Sequence, residues 1–233
     1  MIFVGAGLSS NNVAVEIRST FSFQGDQLSV VLENVSSEPI LNPSELLSSR
    51  YFDIVDAKGA RPTLLNYLAL GDVYRVWDDA ADVLQTSGAD LVAAAKFDET
   101  WQFKTFALNQ LPFAAFGVGT VGNSGLSPNG FNGDIVGAIN YSIYTGEITT
   151  RNLDGRLLVK DRIEFAFTGV NGLSENDVRN VVFGLGTGPD RIIYGQAIPE
   201  PAATVFLAAW GMLAICFRLR RQVASNIKRN AAG

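Results

Sequence analysis

Carboxylates are the side chains of this 233-residue chain that could carry acid–base chemistry. They occur in three groups, Asp53 with Asp56, then Asp78, Asp79 and Asp82, and then Asp98 with Glu99. A glycosidase needs two such groups that face each other across a groove, about 5–10 Å apart. Acids in solvated turns give the same sequence pattern, and Asp78 could cap a short helix. We therefore interpret these groups as structural, and a carboxylate-dependent hydrolase is the catalytic alternative.

The chain contains no histidine. This excludes Ser-His-Asp and Cys-His catalysis and most zinc sites, all of which need an imidazole. The single cysteine, Cys216, lies in an apolar segment near the C-terminus. With neither an imidazole nor a thiol in the rest of the chain, we predict that the protein is not an enzyme.

A glycine-rich stretch from Gly117 to Gly122 spells G-x-G-x-x-G. In a dinucleotide site this pattern leaves a strand and opens a helix whose N-terminus meets the pyrophosphate. The sequence that follows, NSGLSPNGFN, is not able to start a helix. We therefore predict a long loop over residues 117–134 and no nucleotide cofactor.

The same loop contains the oxygen-bearing residues Asn129, Asn132 and Asp134. Side chains of this kind, together with backbone carbonyls, suit Ca²⁺, although the spacing is not that of an EF-hand. A Gly/Asn turn before the next strand explains the residues equally well. Calcium is the one cofactor that the sequence leaves open, and otherwise it predicts none.

Five aromatic residues raise the alternative of carbohydrate binding, namely Tyr67, Tyr74, Trp77, Trp101 and Phe103. Exposed rings on one face of a sheet could stack on sugars. Aromatic rings of this size also fill protein cores, and the sequence does not show which face is wet. A carbohydrate-binding envelope module is therefore the second function that we consider.

Strands must position these residues, since most of the chain shows alternation or short apolar runs between turn residues. A turn at residues 24–26 joins two of the runs into a hairpin. The predicted strands cover residues 13–17, 20–23, 28–33, 51–55, 63–70, 73–77, 101–108, 135–144, 157–167, 178–184 and 191–194.

One segment breaks this pattern, since residues 78–95 have helical spacing around Val83 and Leu84. We predict one short helix there. The fold class that follows is all-β, an antiparallel β-sandwich or jelly-roll-like body with that helix, plus a C-terminal transmembrane helix.

The charge is distributed unevenly along the chain. Of the 18 basic and 23 acidic residues, five basic and one acidic residue lie from Pro199 onward, which leaves the preceding residues with a net charge of −9. An acidic body argues against nucleic acid as a partner, because nucleic acid requires a basic footprint. A basic end behind an apolar run indicates a membrane.

The apolar run covers residues 202–217 and carries no charge. As a helix it would span about 24 Å, somewhat less than the roughly 30 Å of a hydrocarbon core. A C-terminal helix of a soluble domain would be amphipathic, whereas this segment is apolar all round. Arg218, Arg220 and Arg221 follow it and predict a cytoplasmic C-terminus, with the body outside.

Directly before the apolar run stand Pro199, Glu200 and Pro201. The prolines hold this segment extended, because they cannot donate helix or ladder hydrogen bonds. The order of Pro-Glu-Pro, a short apolar stretch and an arginine-rich end resembles the PEP-CTERM sorting domain of bacterial exosortase substrates. The resemblance implies that the three residues are the recognition element of an exosortase, that the chain is cut nearby, and that the arginines stop transfer through the membrane.

The remaining sequence is also similar to exosortase-dependent surface proteins that carry a single β-rich domain with no established activity. The similar stretches are residues 28–36, 51–54 and 163–188 and the Gly/Pro/Asn-rich middle from Gly117. Two features depart from the family, namely the extension over residues 222–233 and an N-terminus with no basic residue before Arg18. We expect a secretory signal to precede Met1 in the gene.

The sequence thus predicts three parts, an extracytoplasmic β body over residues 1–197, a sorting signal with a transmembrane helix over 198–221 and a basic cytoplasmic tail over 222–233. The function that it predicts is that of an exported, non-enzymatic cell-surface or extracellular-matrix protein. Its expected partners are an exosortase, the membrane and an extracellular polysaccharide. Its expected location is the cell envelope, with initial anchoring in the inner membrane.

Overall fold

The computed structural model describes residues 1–77, 80–91, 101–106, 114–120, 139–186 and 191–198. All of them belong to one compact unit, Met1–Ile198. This part of the chain is rich in β structure, which confirms the predicted class at that level.

Thirteen strands and three single-turn 3₁₀ helices make up the described residues. The 3₁₀ helices are Pro43–Glu45, Arg151–Leu153 and Glu175–Asp177. The strands are β1 (Ile2–Leu8), β2 (Ala14–Gln24), β3 (Gln27–Asn34), β4 (Leu47–Ile54), β5 (Leu65–Trp77), β6 (Ala80–Asp90), β7 (Gln102–Thr105), β8 (Phe116–Gly119), β9 (Ile143–Tyr144), β10 (Leu157–Thr168), β11 (Val178–Leu185), β12 (Arg191–Tyr194) and β13 (Gln196–Ile198).

Alternating side chains explain why these segments pair as strands. In β3, Leu28, Val30 and Leu32 are fully buried, and the residues between them are more exposed. Successive side chains of a strand point to opposite faces, so this alternation directs one apolar face into the core. Burial of each large apolar side chain is worth about 1.5–3 kcal/mol relative to exposure.

The strands form one connected sheet in the order β12–β11–β4–β9–β10–β3–β2–β1–β13. In addition, β5 joins β10 to β6, and β8 joins β4 to β7. Among the described strands, the short β9 pairs in parallel with β10, and the other pairings are antiparallel.

Two arms of this sheet contact each other through aromatic rings. One arm is built around β10 and the other around β4, and β9 links them through the pairs Leu47–Ile143 and Val159–Ile143. The ring of Phe52 on β4 lies 5.5 Å from that of Phe21 on β2 and 6.4 Å from that of Phe167 on β10, measured between centroids. The main core therefore lies between the arms.

The two ends of the strand order meet in the chain, because only Gly195 separates β12 from β13. Close approach of the arms here depends on glycine. A Cβ added to Gly5 of β1 would lie 2.8 Å from the ring of Phe183 and 2.9 Å from Ile193. The segment made of β12, Gly195 and β13 thus closes one side of the body and ends at Ile198.

The predicted short helix at residues 78–95 is wrong. Residues 80–90 form β6, which pairs antiparallel with β5. The apolar residues that suggested a helix, Val83 and Leu84, are about half exposed, and Gly88 has a positive φ of 58° that suits a bulge. Pairing with a long neighbouring strand supplies the backbone hydrogen bonds that a helix would have made, and tertiary context overrides weak helix propensity.

The structure differs from the predicted strands and loop in three further places. β1 was not predicted, although Ile2–Leu8 pairs with both β2 and β13. Gly117 and Gly119, placed at the start of a loop, belong to β8 and pair with β4 and β7. Of the strand predicted over residues 135–144, only Ile143–Tyr144 is a strand within the described part.

None of the helices within the described residues has the length and apolar character that crossing a membrane requires. The predicted sorting signal with its transmembrane helix covers residues 198–221. All of these residues except Ile198 lie outside the described part of the chain.

Candidate functional site

The acids of the first group, Asp53 and Asp56, both accept hydrogen bonds from nearby residues of the body. Asp53 is buried and accepts two hydrogen bonds from Arg61, from Nε at 2.8 Å and from Nη2 at 2.6 Å. Asp56 accepts from the backbone N–H groups of Lys58 at 2.8 Å and Ala60 at 2.7 Å and so fixes a turn. Asp53 is therefore not the solvated acid that we expected, and both residues make structural hydrogen bonds.

Of the other two acidic groups, only Asp82 belongs to the described residues. Asp82 accepts a hydrogen bond from the Tyr144 hydroxyl at 2.6 Å. Asp78, Asp79, Asp98 and Glu99 lie outside the described residues. The proposed calcium ligands over residues 129–134 lie outside them as well. Among the described residues, no group of three or more acidic or cysteine side chains could hold a metal ion.

The five aromatic residues do not form one exposed surface. Trp101 is buried, and its indole N–H donates to the carbonyl of Tyr141 at 2.8 Å. Tyr67 and Phe103 pack on the main core, with their rings 5.3 Å and 5.1 Å from that of Phe167. Trp77 is 39% exposed, but the burial of Trp101 and the packing of Tyr67 and Phe103 exclude the stacking of a sugar across the whole set.

A polar groove lies instead where β5 runs between β10 and β6. Its volume is about 430 Å³, within the range of about 300–1,000 Å³ that small-molecule sites occupy. We call it the double-bulge groove. Its lining consists of Leu70, Gly71, Asp72, Gly88, Lys160, Asp161, Arg162 and Glu164.

Two irregularities in strand pairing create this groove. On one side, Val73 pairs with Val159 and Gly71 with Ile163, so that Asp72 faces the three residues Lys160, Asp161 and Arg162. On the other side, Asp72 faces Ser87 and Gly88, where the pairing of β5 with β6 shifts. Bulges of this kind are frequent next to functional sites, because they redirect side chains and interrupt pairing.

Asp72 is held at the centre by the second bulge. Its Oδ1 accepts from Ser87 Oγ at 2.8 Å and from the Gly88 N–H at 2.7 Å. These hydrogen bonds, the backbone one first, lower the pKa of Asp72 and keep its carboxylate ionised. Asp161 adopts a left-handed φ of 63° and accepts from the Thr145 hydroxyl at 3.0 Å.

A small network supports one wall of the groove. The Tyr144 hydroxyl donates to Asp82, and Lys160 Nζ lies 3.6 Å from the same carboxylate oxygen, Oδ2. The Lys160 ammonium also lies 5.4 Å and 5.7 Å from the ring centroids of Tyr74 and Tyr144. Burial, and then the bond to Asp82, raise the pKa of Tyr144, so its hydroxyl stays a donor. The network positions Lys160 and contains no activated nucleophile.

A second charged feature lies in the core, where Arg50 of β4 is fully buried. Its Nη1 donates to Ser19 Oγ at 2.8 Å, whereas Nε and Nη2 have no hydrogen-bond partner among the described residues. The guanidinium carbon lies 4.5 Å from the ring centroid of Phe52 and 4.8 Å from that of Phe21. Burial lowers the pKa of Arg50 to about 9.

Neither feature was predicted from the sequence, although each has a recognisable sequence pattern. Arg50, Phe52 and Ile54 have the same parity in one strand, which places the arginine on the core face. The run Lys160-Asp161-Arg162 interrupts an otherwise apolar or alternating strand. Three consecutive charged residues at that point indicate a bulge.

The predicted sorting residues Pro199, Glu200 and Pro201 and the arginines Arg218, Arg220 and Arg221 lie outside the described residues. Comparison with known proteins gives no family: no family model matches the chain, and no curated protein or solved structure matches it.

Proposed function

We propose that this chain is an exported, non-enzymatic cell-surface or extracellular-matrix protein that an exosortase sorts and cleaves at Pro199-Glu200-Pro201. The observation that carries the proposal is the order of three sequence elements, which are the Pro-Glu-Pro motif, the uncharged residues 202–217 and the cluster of Arg218, Arg220 and Arg221. Arginines after the apolar segment favour a cytoplasmic end and a body outside the inner membrane. The net charge of −9 before Pro199 gives no support to nucleic acid as a partner.

The body suits the role of a passive extracellular module. In this proposal its two contacting arms are the layers of a β-sandwich, and the acids Asp53 and Asp56 form structural hydrogen bonds. The last described strand, β13, ends at Ile198, directly before Pro199. Proline cannot donate to a strand ladder, so the motif would leave the body as an extended segment that a protease can grip.

Processing of the full chain in strains with and without an exosortase tests this proposal. We expect intact-protein mass spectrometry to show loss of the C-terminal segment only when the exosortase is present, and Glu200→Ala to abolish that loss. Glu38→Ala is a matched control, because Glu38 also precedes a proline but lies in the body. The proposal fails if both strains retain residues 202–233, or if Glu200→Ala is processed like the unchanged chain.

A carbohydrate-binding envelope module is the second candidate. The aromatic surface that first suggested it is largely internal. The double-bulge groove is the specific observation that favours it, because its lining offers polar groups that can donate and accept hydrogen bonds.

A further inference from the structure

The double-bulge groove is a place where the pairing of β5 with both of its neighbours, β10 and β6, is interrupted. Lys160, Asp161 and Arg162 form no pairs with β5, and Ser87 and Gly88 sit in the bulge of β6. Regular pairing resumes immediately on either side of Asp72, at Gly71 and Val73. The opening is therefore local, and the surrounding strands hold its walls in place.

The charges in the groove alternate in sign. Asp72, Asp161 and Glu164 supply three carboxylates, while Lys160 and Arg162 supply two cations. A bare metal ion would meet the two cationic groups, and a phosphate would meet the three carboxylates, so neither matches the lining. A ligand that both donates and accepts hydrogen bonds at closely spaced positions matches it.

Several of these groups keep capacity for a ligand. Asp72 uses Oδ1 for both of its hydrogen bonds, which leaves Oδ2 without one from a described residue. The Arg162 side chain is exposed and makes no hydrogen bond to another described residue, although its charge, after the bonds from Gly88 and Ser87, helps to lower the pKa of Asp72. Glu164 accepts from the Ser29 hydroxyl at 3.2 Å through Oε1 alone. Planar carboxylate and guanidinium groups can each bind two adjacent hydroxyls.

We propose that the double-bulge groove binds a saccharide whose hydroxyl groups donate hydrogen bonds to Asp72 and Glu164 and accept them from Lys160 and Arg162. The proposal deepens the second candidate function and does not depend on the sorting motif. Among the described residues that line the groove there is no aromatic ring, so recognition rests on hydroxyl geometry instead of ring stacking. Lys160 is held in place by Asp82 and the rings of Tyr74 and Tyr144, so one wall is formed before the ligand arrives.

Binding to an array of neutral, amino and uronic-acid oligosaccharides tests this proposal. The full chain is kept in a polyoxyethylene detergent, because detergents with sugar head groups would compete for the site. Saccharides that the array retains are then titrated by calorimetry. Calcium chloride alone and sodium phosphate alone are titrated in parallel.

The informative variants are Arg162→Ala and Glu164→Gln, and the matched controls are Arg191→Ala and Glu16→Gln. Arg191 lies on β12 and Glu16 on β2, and neither lines the groove. We expect about a tenfold or greater loss of affinity in each groove variant, since each removes a hydrogen bond to a charged group. The two controls should bind like the unchanged chain, and all four variants should keep its circular dichroism spectrum.

Three results would overturn the proposal. These are that the unchanged chain retains no saccharide, that the groove variants bind as tightly as the controls, or that calcium or phosphate alone shows binding that the groove variants abolish. Cleavage at the sorting motif is scored in a separate assay. A groove that binds no saccharide would therefore leave the proposed sorting untouched.

Discussion

Arg50 and Arg162 show two ways in which this body places a positive charge. Arg50 lies in the core, on the rings of Phe21 and Phe52, and no acid among the described residues pairs with it. Arg162 lies in an opening of the same connected sheet, exposed to water and close enough to Asp72 to lower the pKa of that acid. Packing buries Arg50, whereas irregular strand pairing leaves Arg162 exposed.

The difference shows that the two charges bear on different properties. Removing a guanidinium from water is costly unless it is paired and hydrogen-bonded, so Arg50 acts on stability. An exposed charge contributes little to stability but stays available to a ligand. Substitutions in the two regions should therefore separate the free energy of unfolding from binding.

The largest expected effect comes from Arg50→Met. Methionine fills a similar volume and contacts the same rings, while the cost of burying a charge disappears. We expect the free energy of unfolding in urea to rise by about 1–4 kcal/mol. Arg191→Met, on the edge strand β12, is the control and should change it by less than about 0.5 kcal/mol. A loss of stability in Arg50→Met would mean that the ring contacts outweigh the cost of desolvation.

Asp53→Asn should have the next largest effect, in the opposite direction. Asp53 lies on the same strand as Arg50 but has a partner, Arg61, whose side chain is 32% exposed. Loss of the charge weakens the hydrogen bonds with Arg61 at a buried position. We therefore expect the free energy of unfolding to fall by about 1–3 kcal/mol. Thermal and urea unfolding measure the change. Asp56→Asn, in the adjoining turn, should cost less, and an equal cost would show that burial of Asp53 is unimportant.

The lowered pKa of Arg50 should be visible in the pH dependence of the free energy of unfolding. The pKa of Arg50 is lowered to about 9 in the folded state, so above that pH the unfolded chain binds more protons than the folded one. Stability then rises with pH, by at most about 1.4 kcal/mol for each pH unit. Burial raises the pKa of Tyr67 and Tyr144 above 10, so the folded state keeps protons that the unfolded state loses, and stability falls again.

Urea unfolding at pH 8, 9, 10 and 11 would therefore pass through a maximum near pH 10 in the unchanged chain. In Arg50→Met the rise from pH 9 to 10 should vanish, whereas the fall above pH 10 should stay. A rise of equal size in both proteins would assign it to another group.

The smallest effect on stability is expected for Arg162→Ala. The side chain is exposed and bonds to no described residue, so the free energy of unfolding should change by less than about 0.5 kcal/mol. Urea unfolding measures this, and Lys58→Ala, an exposed cation in a turn, serves as the comparison. A larger loss would show that Arg162 stabilises the bulge itself, and the contrast with Arg50 would then disappear.

Sequence patterns predicted the strands that bury one clear face and missed those that depend on neighbours. The residues of β3, β10 and β11 were predicted nearly to their ends, because alternation reports burial of one face. β1 contains two glycines whose purpose is close approach to Phe183 and Ile193, which no local pattern announces. β6 carries three shifts in its pairing with β5, so its alternation is broken.

By itself, the sequence determined the β-rich class, the acidic character of the body and the motif at Pro199, Glu200 and Pro201, since each depends on composition or on residues adjacent in the chain. Only the tertiary structure decided that Trp101 is internal, that Asp53 is paired with Arg61, and that Asp72 faces the run beginning at Lys160. These arrangements join residues that are far apart in sequence, and their register follows from which strands pair and where bulges fall. Hydrogen bonding between strands and burial between the arms fix that register, and no single segment contains it.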